Sequence, residues 1–124
     1  MTVREAFECR DESFLGNGVS EKDIKEAEER LGLKFAPDYV EYLKTVGLAM
    51  CDGHEFTGLG APQRTDVVSV TKQMKELRGD IPEDWYTIEN QNMDGAAMWQ
   101  DAKGNIYFNK KKEYSSLIEL ICDL

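Results

Sequence analysis

Between residues 20 and 47 the apolar positions follow a helical period, break, and resume it. In SEKDIKEAEERLG, Ile24, Ala27 and Leu31 fall three and four residues apart and share one helix face. Ser20 is placed to cap the first turn, since its hydroxyl can accept from an orphan backbone N–H, and Asp23 stands three residues on. Glu21 with Lys25 and Glu26 with Arg30 are i,i+4 pairs on the charged face. Gly32 is the expected left-handed stop. Leu33 and Phe35 then point an extended segment inward, and Pro37 suits the start of a second helix because its missing N–H is not needed there. Tyr39, Tyr42, Leu43 and Val46 form that helix's stripe, which Gly47 ends.

The remaining elements are read around this pair. Residues 1–19 are expected to be an N-terminal extension with a short helix over Thr2–Arg10. Ser13–Val19 reads as a loop, with Gly16-Asn17-Gly18 as the turn signal and Phe14 and Leu15 tucked under the main helix. Asp52-Gly53 is a turn dipeptide, and Glu55–Leu59 a strand in which Gly58 marks a bulge or a close backbone approach. Thr65–Arg78 reads as a third helix with Val67, Val70, Thr71, Met74 and Leu77 buried, although stiff β-branched residues leave a short strand at Val67–Val70 open. The last third reads as a meander: strands at Trp85–Glu89, Ala96–Gln100 and Asn105–Asn109, with turns at Asp94-Gly95 and Asp101–Gly104. Lys110-Lys111-Lys112 reads as a solvated loop, and Leu117–Cys122 as a last helix capped by Ser115 or Ser116. Helices first and strands later give an α+β class in a single domain over residues 1–124.

The run Ala27-Glu28-x-x-Leu31-Gly32-x-x-Phe35-x-x-Asp38-Tyr39-x-x-Tyr42-Leu43-x-x-x-Gly47 resembles the opening signature of the SUKH superfamily. Phe35 stands where leucine is common and Ala36 where proline is common, with Pro37 one place later. Each matching position reads as a packing residue. The resemblance implies helices packed against a mostly antiparallel sheet, and a protein-binding role. Family members include a yeast cell-wall-assembly regulator domain and bacterial immunity proteins that sit on a toxin and block it.

Charge narrows the partners. The chain carries 24 acidic and 15 basic side chains, a net charge of −9. Phosphate binding runs on Lys and Arg, so nucleic acid is not an expected direct partner. An acidic surface suits a basic protein and speeds the encounter, although many soluble chains are acidic only to stay in solution. No apolar run reaches membrane-spanning length, and no leader pattern opens the chain, so a cytoplasmic location and no membrane contact are expected. Cys9, Cys51 and Cys122 are widely spaced, with no C-x-x-C pair, and read as reduced thiols.

Candidate chemistry is sparse, and neither a catalytic residue, a metal site nor a cofactor is expected. His54 is the one histidine and lacks the second histidine of a zinc-protease helix. No nucleophile elbow or phosphate loop appears. Cys51 and His54 are close in sequence, but nothing around them signals activation. The aromatic residues of the meander remain. Either they complete the core, or one sheet face stays open and offers Trp99 and Tyr107 to a partner. The expected contact set is therefore Asp52, Glu55, Asp94, Trp99, Asp101 and Tyr107, chosen as acidic loop residues and surface rings. Three roles follow: an immunity protein that occludes a basic toxin such as a nuclease, an adaptor for an endogenous protein, or, least supported, a small enzyme.

Overall fold

The computed structural model describes every residue except 11, 61 and 91–96. In chain order the elements are α1 (Val3–Glu8), β1 (Ser13–Leu15), α2 (Glu21–Leu31), α3 (Pro37–Thr45), β2 (Ala49–Cys51), β3 (His54–Glu55), α4 (Val67–Arg78), β4 (Tyr86–Asn90), β5 (Ala97–Gln100), β6 (Ile106–Phe108), β7 (Lys111–Tyr114) and α5 (Leu117–Cys122). Strands β1, β2 and β3 form one antiparallel sheet, and β4 to β7 form a second, in sequence order. A bridge between Phe56 and Glu89, with Thr57 N–H donating to Ile88 O at 2.9 Å, joins the sheets edge to edge. The result is one α+β domain with helices packed against two antiparallel sheets.

The helix pair forms as its sequence predicts. Ser20 Oγ accepts from Asp23 N–H, Gly32 ends α2 at φ 68°, and Pro37 opens α3. Glu21, expected to face Lys25, instead pairs with Lys44 of α3 at 2.7 Å. Asp66 caps α4, which settles Val67–Val70 as helix rather than strand. Leu77 departs from its expected place and is 66% exposed. At roughly 100° per residue, the face of Val67, Thr71 and Met74 continues to Arg78, not Leu77. Arg78 is accordingly half-buried.

Within residues 1–19, α1 and β1 pack into the domain. Thr2 and Glu5 form a reciprocal capping box at the start of α1. Val3, Ala6 and Phe7 are buried, and Phe7 packs against Phe56 and Tyr42 at ring separations of 5.1 and 5.8 Å. Ser13–Leu15, expected as loop, is strand β1, paired to β2 in the register Phe14↔Met50. Phe14 is 73% exposed rather than tucked away. Lys111 and Lys112, also expected as loop, lie in β7. Asn109 and Lys110, at φ 48° and 74°, form the two-residue turn between Phe108 and Lys111 that makes this a hairpin.

The aromatic core is hydrogen-bonded as well as packed. Thr57 Oγ1 donates to Thr87 O, so the buried Tyr39 hydroxyl must donate to Thr57 Oγ1 at 2.8 Å, while Tyr42 donates to Thr57 O at 2.6 Å. Burial pushes the Tyr39, Tyr42 and Tyr86 hydroxyls above their usual range, keeping them neutral donors. Two motif residues are polar clamps, not packing residues as the sequence suggests. Glu28 accepts from Phe35 N–H at 2.9 Å and fixes the connection between α2 and α3. Asp38 accepts from Gln100 Nε2 at 2.9 Å and from Leu117 N–H at 2.8 Å, tying α3 to β5 and to the first turn of α5. Asp38→Ala orphans Leu117 N–H and leaves Gln100 Nε2 only its bond to Gly104 O, and is expected to cost about 2 kcal/mol, read as a lower urea midpoint.

Candidate functional site

Among the described residues four large apolar side chains are exposed, and two of them, Phe14 and Met50, are neighbours on the outward face of the first sheet. Asp52 and Gly53, at φ 49° and 82°, make the tight turn that pairs Cys51 with His54. That register alternates the strand faces. Ala49 and Cys51 point inward and are buried, whereas Phe14, Met50 and Glu55 form a cross-strand row on the outside. Phe14 and Met50 are 73% and 38% exposed. The row forms one wall of a largely apolar groove of about 370 Å³, closed opposite by Pro62, Arg64 and Thr65. Glu55 accepts two hydrogen bonds from Arg64 Nη1, at 2.8 and 2.6 Å. Asp52, at the hairpin tip, lies 3.5 Å from Arg10 Nε.

The expected contact residues do not form one patch. Glu55 lines the groove and Asp52 stands at the hairpin tip outside its lining, while Asp94 lies outside the described residues. Trp99, Asp101 and Tyr107 lie together on the second sheet, at its α4 side. Trp99 is 1% exposed among Val70, Met74 and Trp85, so its ring completes the core and has no surface to offer. The sequence left open whether one meander face stays bare; α4 covers this one. Tyr107 stacks on Trp85 at 4.1 Å and donates to Asp101 Oδ2 at 2.8 Å. Asp101 is 7% exposed and folds its own turn, accepting also from the backbone N–H groups of Lys103 and Asn105.

Burial alone would raise the Asp101 carboxyl, but the hydrogen bonds from Tyr107 and Asn105, side chain and backbone, outweigh it and hold the group below the usual aspartate value. A depressed folded pKa contributes stability that is complete above the unfolded value, roughly pH 4. It is lost as pH falls through the folded value. Asp101→Asn is therefore expected to be less stable at neutral pH and to show a flatter loss below about pH 4, in urea midpoints measured across pH.

The nearest approach to catalytic chemistry is Cys51, His54 and Glu89. His54, in β3, has Nδ1 2.5 Å from Glu89 Oε2, so the ring is anchored. The Cys51 thiol, however, is buried, donates to Asp52 Oδ2 at 3.8 Å, and is pushed up by burial and then by the Asp52 charge. A raised thiol is a poor nucleophile. Among the described residues no group of His, Cys, Asp and Glu could hold a metal ion, and no helix is long and apolar enough to cross a membrane.

The sequence reading missed Phe14 and Met50. The signal was available: a two-residue turn at Asp52-Gly53 places Met50 and Glu55 on one face, opposite the buried Ala49 and Cys51.

A family model described as SUKH_5, SMI1-KNR4 cell-wall, matches residues 5–123. No curated protein matches the chain. The match takes in the clamped helix pair, both sheets and α5, and so the chain belongs to the SUKH family of SMI1–KNR4-like adaptor- and immunity-type domains.

Proposed function

We propose that this chain is a non-enzymatic immunity protein that binds a basic toxin, of which a nuclease is one kind, and blocks it by occlusion. The observation that carries the reading is the exposed Phe14–Met50–Glu55 row beside an apolar groove. Large exposed apolar side chains around a concavity mark a site that another molecule covers. The net charge of −9 favours a basic partner and a fast encounter. Of the expected contacts, Asp52 and Glu55 stay in this proposal, as rim charges.

The test uses the tagged chain as bait in cells of its source, with elution by salt and identification of the prey. One basic prey that elutes with salt, whose toxicity is relieved by co-expression of this chain, supports the reading. Phe14→Glu should lower that prey's affinity at least tenfold, because the charge replaces an exposed apolar contact, while changing stability by no more than about 0.5 kcal/mol. An endogenous enzyme or scaffold as the main prey favours the adaptor role instead, which the cell-wall description of the matching family also suits.

A further inference from the structure

The two outer strands of this fold are protected differently. β7 closes one end with exposed Lys111, Lys112 and Glu113, the kind of charged edge that discourages a further strand. β1 closes the other end with Ser13-Phe14-Leu15, which carries no charge, and pairs with no strand beyond β2 among the described residues. Its free hydrogen-bonding positions follow from register. Gly16 N–H donates to Leu48 O at 2.9 Å, so Gly16 and Leu48 are a hydrogen-bonded pair. Such pairs alternate along an antiparallel ladder, which makes Phe14 and Met50 the next one. The backbone groups of Ser13 and Leu15 therefore point away from β2, toward the open side. Gly16, beyond β1, faces Leu48 and its carbonyl also accepts from Arg4 Nη1 at 2.9 Å, so the open edge is the short stretch of β1.

We infer that the partner at this site presents an extended basic segment that adds as a strand to the β1 edge and seats one apolar side chain on the Phe14–Met50 groove. This rests on the docking face proposed above and names its mode of use. Three residues of edge supply few main-chain hydrogen bonds, so affinity needs an anchor. The groove, about 370 Å³, is within the size range of sites that take a side chain or small ligand. Charge selects the flanking residues. The sequence enters β1 through Asp11-Glu12, with Glu12 exposed, and Asp52 stands exposed at the adjacent hairpin tip. Arg64 pairs with Glu55 and Arg10 with Asp52, and Arg4 is bonded to the Gly16 and Thr45 carbonyls, so no cation beside the groove outweighs the acidic approach to β1 and the chain's excess of negative charge. A strand with Lys or Arg flanking its apolar anchor meets this rim, whereas an acidic strand, or a second copy of this −9 chain, is repelled.

The probe is a phage-displayed library of random twelve-residue peptides, panned on the full chain. Enriched peptides should share alternating apolar and Lys or Arg positions. Their synthetic forms should slow amide hydrogen exchange at Ser13 and Leu15 at least tenfold. Binding should weaken at least tenfold with Phe14→Glu, and likewise when alternate peptide amides are N-methylated. Phe14-dependent peptides that leave those two amides unprotected overturn strand addition but keep the docking face. Peptides indifferent to Phe14→Glu overturn both. No enriched peptide overturns the strand-addition inference.

Discussion

Gly58→Ala leaves the domain unfolded, or destabilised by at least about 3 kcal/mol in urea titration followed by circular dichroism. A Cβ at residue 58 would lie 1.8 Å from Gly47 O and 2.9 Å from Gly47 C. Both are backbone atoms, so no side-chain rotation relieves the clash. The neighbouring chains are also held in place. Gly58 N–H donates to Thr65 O at 2.8 Å, Val67 N–H to Gly58 O at 2.9 Å, and Leu59 N–H to Gly47 O at 3.1 Å. Gly47 in turn lies against Gly18, whose own Cβ would fall 1.9 Å from Lys44 O. Three segments thus cross with only hydrogen atoms between their backbones. Gly60→Ala is the control: at φ 72° with nothing within 4 Å, it carries only left-handed strain, about 1 kcal/mol. Equal midpoints for the two variants would show that the crossing relaxes.

Trp99→Ala is expected to cost about 3 to 5 kcal/mol, through lost burial and a cavity that its neighbours cannot fill. The ring is 1% exposed and packs with Val70 and Met74 of α4 and with Trp85, 6.4 Å away between centroids. Removing it takes the more deeply buried of the two tryptophans out of the cluster between α4 and the second sheet. Domains of this kind hold about 5 to 15 kcal/mol in all, so the variant should unfold at a much lower midpoint. Trp99→Phe should retain part of the difference. If Trp99→Ala unfolds like the parent chain, the second sheet is not packed as described.

What was legible in the sequence follows from how locally each feature is determined. The α2–α3 pair was readable because its caps, stripe and stops lie within a few residues of one another: Ser20, Ile24–Leu31, Gly32, Pro37. A cap at Thr65 or Asp66, which the structure assigns to Asp66, and Leu117–Cys122 as a helix were readable for the same reason. Strand β1 was not, because three residues carry no period, and only pairing with Ala49–Cys51 makes them a strand. Lys111–Tyr114 was masked by its charges, which suit an edge strand as well as a loop. Asp38 and Glu28 read as packing residues because their partners, Gln100, Leu117 and Phe35, are known only once the chain is folded. The contact set failed to form one patch for a related reason. Asp101 lies at a turn and Trp99 on a strand whose covered face the sequence leaves undecided, and Tyr107 and α4 cover them.

The central claim is that the outward face of the β1–β2–β3 sheet is where this SUKH domain meets its partner. The most direct measurement is quantitative affinity purification with three baits: the parent chain, Phe14→Glu, and Leu77→Glu. Leu77 is the matched control, a similarly exposed apolar residue (66%) on α4, away from the groove. The account predicts a specific prey that is at least tenfold depleted with Phe14→Glu and unchanged with Leu77→Glu. A prey retained equally by all three baits, or lost only with Leu77→Glu, would contradict it.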